Sequence, residues 1–238
     1  AVDRVVVPTE AMRKLYKERL GLKNMQIMPV SPNHSASRSA EELPQLAATR
    51  REKFITMINP AAPKGGLVFI NLANRFTEID RKLTFLAVES RGTQTMWQDA
   101  GIETTAIKNL WWLPKQADIT HVFRKTSLLI VPSVGYEAAG KVIPEALVMG
   151  IPVIGSNMGG IPDTMAGSGE IVPVPEDVVK NNVVMPPAFI DQWVAAVKKI
   201  MDDEATYLRY AEKSLKAGQA YMPQRIAHQV VKMFEDMV

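Results

Sequence analysis

Glu137 and Glu145, with seven residues between them, stand where a predicted strand gives way to a predicted helix. Each carboxylate has two oxygens and can accept several hydrogen bonds at once. Leu128-Leu129-Ile130-Val131 is a run of apolar β-formers leading into Pro132-Ser133, and Val142, Ile143, Ala146 and Leu147 then repeat at helical spacing. A polar turn lies between. In an open parallel sheet such a corner binds ligands, because free backbone N–H groups and the positive end of the helix dipole face the crevice above the strand ends. An anionic guest suits it. The chain then runs on from Gly150 as Ile-Pro-Val-Ile-Gly-Ser-Asn-Met-Gly-Gly-Ile-Pro-Asp163.

The elements that must hold these residues alternate regularly. Residues 54–58 read as a strand, 65–76 as a helix, 84–88 as a strand, 92–100 as a helix closed by Gly101, 104–108 as a strand, 118–125 as a helix and 128–131 as a strand. The helix of Glu145, a strand over 153–156, a short helix after Gly160, a strand near Ile171 and three helices from Pro187 onward complete the pattern. This order specifies an α/β fold, a doubly wound parallel sheet of Rossmann-like type with C-terminal helices. Upstream, Val5-Val6-Val7 reads as a buried strand, and Thr9 caps a helix whose Met12, Leu15, Tyr16 and Leu20 share a face before Gly21 stops it. A short strand follows from Met25. This unit has no sheet of its own, so residues 1–33 are expected to be the tail of a preceding domain. The polar stretch 34–53 reads as a linker, 54–222 as the ligand-binding domain, and 223–238 as a terminal helix able to cross back to the preceding domain.

Composition narrows the function classes. A chain of 238 residues, 47% hydrophobic and 22% charged, is globular rather than disordered. The net charge of +3 is spread along predicted helices rather than gathered in a stripe, which argues against a nucleic-acid partner and leaves anionic substrates or contact with an acidic membrane surface. The absence of cysteine excludes disulfides and thiolate metal sites, and the three histidines lie far apart, so no metal is expected. No apolar run approaches the ~18 residues of a membrane span, and the first residues have no signal layout. The reading is cytoplasmic, compatible with a place at the inner face of a membrane.

Pro132-Ser133, Glu137, Glu145-Ala146, Gly150-Ile-Pro-Val-Ile, Gly159-Gly160-Ile-Pro-Asp163, Gly169 and Val172-Pro173 together resemble the donor-binding, C-terminal half of retaining glycosyltransferases with two Rossmann-like domains, the GT-B fold. The similarity is to the group 1 family that includes sucrose synthases, phosphatidylinositol mannosyltransferases and many transferases of polysaccharide and lipopolysaccharide synthesis. It is densest over residues 128–173. A glutamate pair alone is a weak signal; in order with the two downstream glycine motifs it is specific.

The resemblance implies a nucleotide-diphosphate sugar as donor (UDP-, GDP- or ADP-linked), no separate cofactor, and transfer to a carbohydrate or lipid-linked acceptor with retention and without a metal. By the same resemblance Glu145 accepts both ribose hydroxyls, Glu137 meets the donor sugar or the reacting face, and the Ala139-Gly140-Lys141-Val142 turn offers backbone N–H groups to phosphate and sugar oxygens. Lys64, followed by Gly65, neutralises the departing diphosphate. Leu113, in Leu110-Trp-Trp-Leu-Pro114, belongs to the loop that receives the base. Taken singly, these residues have plainer readings: a solvated Glu137, a Glu145 that complements its helix dipole, tryptophans that seal a core.

Two departures from the family pattern stand out. Asn59-Pro60 occupies the place of a common Gly-Arg, so the usual diphosphate arginine is absent, and Arg91 is the candidate to replace its charge. Ala138-Ala139-Gly140 stands where many relatives carry Gly-Phe-Gly, which leaves the donor sugar unassigned. Two other classes fit the same residues: a nucleotide-binding module without catalysis, favoured by the lost arginine, and a nucleotide-sugar epimerase of the same architecture. A complete enzyme of this kind needs a further domain before Ala1, so the chain is expected to bind donor but transfer slowly or not at all.

Overall fold

In the computed structural model, residues 4–34, 36–181 and 185–236 are described. A six-stranded parallel sheet is built from β3 (Phe54–Ile58), β4 (Thr84–Val88), β5 (Leu110–Leu113), β6 (Thr126–Val131), β7 (Val153–Ser156) and β8 (Glu170–Val172), in the order β5-β4-β3-β6-β7-β8. The chain starts in the middle at β3, builds out to one edge, then returns to β6 and builds to the other. The strand order therefore reverses between β3 and β6, and at such a switch point the crossovers diverge and leave a crevice at the C-terminal strand ends. Ile58 and Val131, the last residues of these two strands, mark its floor.

The central strands are largely apolar because both faces are covered. In β6, Leu128 and Ile130 join one core, while Leu129 and Val131 join the other. The larger core lies under α3 (Gly66–Ile79), α9 (Pro187–Met201) and α10 (Glu204–Gly218). Phe189, Trp193, Val197 and Ile200 recur along α9 at helical spacing and are all buried. The smaller core is formed with α6 (Val142–Leu147) and α7 (Ile161–Met165) through Ile143, Ala146, Leu147, Ile161 and Met165.

The expected alternation is present with an added helix at Glu176–Asn181 and differences at residues 104–108 and 34–53. Residues 104–108 form a turn, closed by the Ile107 N–H on the Thr104 carbonyl, and the strand comes six residues later at Leu110–Leu113, paired with β4. Thr105, Ala106 and Lys108 are exposed and offer no apolar face, whereas Leu110 and Trp112 reach the core. The stretch 34–53, polar in sequence, holds a helix, α2 (Leu43–Ala48), whose Leu43, Leu46 and Ala47 are buried in the larger core. Its Arg50 is buried too, donating to the carbonyls of Ala47, Met201 and Asp202.

Near the start of the chain, β1 (Val5–Val7) and β2 (Met25–Ile27) pair parallel only with each other, linked by α1 (Glu10–Leu20). Thr9 caps α1 and Gly21 ends it in the left-handed conformation, as their sequence positions require. The remaining helices are α4 (Gln94–Asp99), α5 (Thr120–Arg124), α8 (Glu176–Asn181) and α11 (Pro223–Glu235). No helix among the described residues is long and apolar enough to cross a membrane.

Candidate functional site

The loops after β3 and β6 meet at the switch point, and backbone constraints fix the meeting. Gly65 has φ +81°, and a Cβ there would lie 1.9 Å from the Pro132 carbonyl oxygen, so only glycine permits this approach. The Pro63 carbonyl accepts the N–H groups of Val134 and Gly135 at 3.1 and 2.9 Å. Lys64 is thereby presented across the gap and forms a hydrogen-bonded ion pair with Glu137.

Glu137 is held from the other side by the Gly159-Gly160 pair. The Gly160 N–H donates to the Glu137 carbonyl at 2.7 Å, and a Cβ on Gly159 would stand 2.1 Å from that same oxygen. Gly140, at φ +66°, then turns the chain into α6, its carbonyl accepting the Ile143 N–H at 2.8 Å.

Glu145, one turn into α6, is buried at 3% exposure. Its Oε1 accepts the Asn33 backbone N–H at 3.2 Å. Burial pushes its carboxyl above the ordinary carboxylate range, against the opposing pull of that hydrogen bond and of the Lys141 ammonium. The Asn33 side chain bonds to it as well, and a carboxylate has about four acceptor sites, so room remains for further donors. His34, next to Asn33, stacks at an angle on Phe123 with ring centres 5.4 Å apart, and desolvation lowers its pKa.

Two cavities lie along the crevice and share Ile58, Lys141 and Val142 in their walls. The smaller, about 170 Å³, is lined by Asn59, Lys64, Ser133, Glu137 and Gly140 among others. The larger, about 490 Å³, runs past Glu145 and Asn33 to Glu89, Ser90 and the 115–119 loop. A guest lying along both has a lysine at one end, a buried carboxylate farther on and a loop pocket beyond it.

Of the residues singled out in the sequence, Lys64, Glu137, Gly140, Lys141, Val142 and Glu145 line this crevice. Gly65 and Ala139 do not; Gly65 shapes it from behind, and Ala139 is buried at the turn. Arg91 is exposed and lines neither cavity; its backbone N–H bonds to Asn59 Oδ1 at 3.0 Å. Leu113 packs against the cluster of Leu86, Val88 and Val122, and the residues after it, from Lys115 to Ile119, supply the wall.

Three contributors carried no role in the sequence reading. Asn33 sits at the edge of the polar stretch, and Asn59 adopts φ +61° while its side chain accepts from both Arg91 and Gly92. Ser133 is 1% exposed, and its hydroxyl has no hydrogen-bond partner among the described residues although the residue lines the Lys64 cavity. Ser133 was legible only as part of a motif. Among the described residues no group of three or more His, Cys, Asp or Glu side chains is placed to hold a metal ion.

Comparison with known proteins gives a consistent picture. Residues 41–217 match the family described as glycosyl transferases group 1. An exopolysaccharide phosphotransferase of Streptomyces coelicolor is 28% identical over 120 residues, which cover 50% of this chain and 12% of that protein. Among solved structures, the pneumococcal O-GlcNAc transferase GtfA in complex with UDP and GlcNAc superposes with a TM-score of 0.78 at 16% identity, covering 99% of this chain and 45% of that one. Sucrose-phosphate synthase of Thermosynechococcus elongatus gives 0.74 at 18% identity, covering 100% and 59%. HepE of Anabaena, in complex with UDP and glucose, gives 0.73 at 16%, covering 98% and 63%. The chain thus spans less than two thirds of the length of each of these relatives.

Proposed function

The chain belongs to the group 1 glycosyl transferases, and from that premise we propose that it is the donor-binding part of a retaining, metal-independent hexosyltransferase that takes a nucleotide-diphosphate sugar. The observation that carries the reading is the placement of Lys64 and Glu137 at one end of the switch-point crevice and of the buried Glu145 along it. A ribose offers two vicinal hydroxyls to Glu145, and the diphosphate then falls toward Lys64 and the start of α6. The base lies in the pocket walled by residues 115–119.

In this reading Lys64 exchanges partners. It pairs with Glu137 in the free protein, and the diphosphate draws it away as negative charge builds on the leaving oxygen. The bond from the sugar's anomeric carbon to that oxygen breaks with its electron pair going to the diphosphate, and the acceptor hydroxyl oxygen bonds to the same face of the sugar as its proton passes to the departing diphosphate oxygen. Glu137 orients the sugar hydroxyls. The acceptor comes from a domain outside this chain and is a glycan or lipid-linked glycan, a reading supported by the exopolysaccharide relative. UDP is favoured as the nucleotide because two of the superposed structures hold it.

Calorimetry and thermal shift with UDP, GDP, ADP and their sugar conjugates test this, with Glu145→Ala as the control. A ligand at ~100 times its dissociation constant stabilises by ~2.7 kcal/mol. Selective stabilisation by one nucleotide, lost in the variant, is expected; equal silence from all of them, in the chain and in a full-length enzyme, would sink the donor assignment. In the full-length enzyme, transfer that persists in EDTA with α-product from α-donor is expected, and release of epimerised nucleotide sugar would indicate an epimerase instead.

A further inference from the structure

Far from the crevice, at the N-terminal ends of β4 and β5, one tryptophan is spent on solvent. Trp97 and Trp193 are buried, and Trp112 turns inward onto the larger core, but Trp111 is 59% exposed on the edge strand β5. Nothing in the donor-binding reading uses it. Trp111 borders a cavity of about 310 Å³ whose other walls include Thr77, Arg81, Lys108 and Asn109, a volume at the lower end of small-ligand sites, roughly 300–1,000 Å³.

Asn109 is the second, independent observation. It is 5% exposed, its Nδ2 donates to the Leu83 carbonyl at 3.3 Å, and its Oδ1 has no partner among the described residues. A buried amide oxygen left in this way calls for a donor from outside. Arg81 and Lys108 stand exposed at the rim, and the Arg81 guanidinium is steadied by its Nε bond to the Thr77 carbonyl at 2.7 Å. The wall thus combines an open aromatic face, one buried acceptor and two cations.

We propose that this cavity is a second carbohydrate site, one that binds an acidic oligosaccharide. The apolar C–H face of a pyranose ring lies on the exposed indole, which combines an apolar body with low conformational cost. A ring hydroxyl donates to Asn109 Oδ1. A carboxylate or phosphate on the sugar chain meets the exposed Arg81 and Lys108. Nucleic acid fits less well, since it demands a run of cations along a backbone, and here there are two beside an acceptor. The site does not depend on the donor crevice, which lies at the opposite ends of the strands.

Tryptophan fluorescence and calorimetric titration of this chain test the proposal, with a short oligogalacturonate as the acidic probe, a maltooligosaccharide as the neutral one and a thymidine oligonucleotide as the competitor class. Oligogalacturonate is expected to shift the Trp111 emission and to bind more weakly as salt rises. Trp111→Ala, an exposed change that leaves folding intact, should lower that affinity at least about tenfold without altering nucleotide binding in the crevice. Arg81→Gln with Lys108→Gln should erase the preference for the acidic over the neutral sugar. The proposal is overturned if oligogalacturonate does not bind, if W111A binds it like the parent chain, if the neutral sugar binds as well, or if the oligonucleotide binds better. Nucleotide titration of the same samples reports separately on the crevice.

Discussion

The carboxylate of Asp163 accepts the backbone N–H of Ala11 at 2.8 Å, so the first turn of α1 is capped by a residue 152 positions away in sequence. Beside it, the Thr9 hydroxyl donates to the Ala138 carbonyl at 2.8 Å, and a Cβ on Gly160 would lie 2.6 Å from that hydroxyl. The β1-α1-β2 unit is therefore seated on the loop that carries Glu137. Gly160 serves both contacts, leaving room for Thr9 and binding the Glu137 carbonyl.

Removing this cap should loosen the seat. Asp163→Ala is expected to cost about 1 kcal/mol, the usual effect of losing a helix N-cap acceptor. It should speed hydrogen exchange in α1 and weaken nucleotide-sugar binding more than binding of the bare nucleotide. Equal exchange rates in the two proteins would rule the seat out as a stabilising contact.

Glu137→Gln tests the partner exchange of Lys64. The substitution frees the ammonium and removes a negative charge from the path of the diphosphate. UDP should bind about threefold to tenfold more tightly, ~0.7–1.4 kcal/mol, while any extra affinity for the sugar conjugate is lost. Weaker UDP binding by E137Q would mean that the pair does not compete with the diphosphate.

Lys64→Ala should act in the opposite sense. Loss of affinity is expected for UDP but little for uridine, because the ammonium meets phosphate and not the nucleoside. Matching losses for the two ligands would remove Lys64 from the diphosphate site.

Glu145 gives a pH signature. Burial raises its carboxyl, so between the ordinary carboxylate value and the raised one the folded chain keeps a proton that the unfolded chain has released. Stability contributed by this group therefore falls as pH rises through that window. Glu145→Gln lacks the decline, and its advantage over the parent in denaturant titrations should grow across the window and level off above it. Ribose hydroxyls donate to the ionised form, so UDP affinity of the parent should rise with pH over the same interval, with proton release on binding. A pH-independent difference in stability would contradict the assignment.

Much of this was legible in the sequence because it rests on local rules. The apolar run 128–131 is buried on both faces and reads as a strand, and Gly140 and Gly159-Gly160 mark backbone that no side chain can enter. Glu137, Glu145 and Lys64 were found through motif order, and the structure brings all three to one crevice. What escaped depends on long-range packing. Leu43 and Leu46 sit in a polar stretch, and only the tertiary fold shows that they are core. The turn that carries Arg91 is set by Asn59, whose side chain accepts the Arg91 and Gly92 N–H groups, a long-range contact that the sequence does not announce. Ser133 and Asn109 could be recognised only once their unpaired oxygens were seen to be buried.

The buried Arg50 has a practical bearing on how the molecule can be divided. Its guanidinium joins the carbonyl of Ala47, just before it, to those of Met201 and Asp202 at the far end of α9. Trimming the chain at the first strand of the sheet would remove Arg50, leave the buried Met201 carbonyl without its donor, and strip Leu43 and Leu46 from the helices they cover. The smallest piece that can be excised and still fold must therefore begin ahead of α2, and a protease that respects folded boundaries should cut before it rather than between it and the sheet.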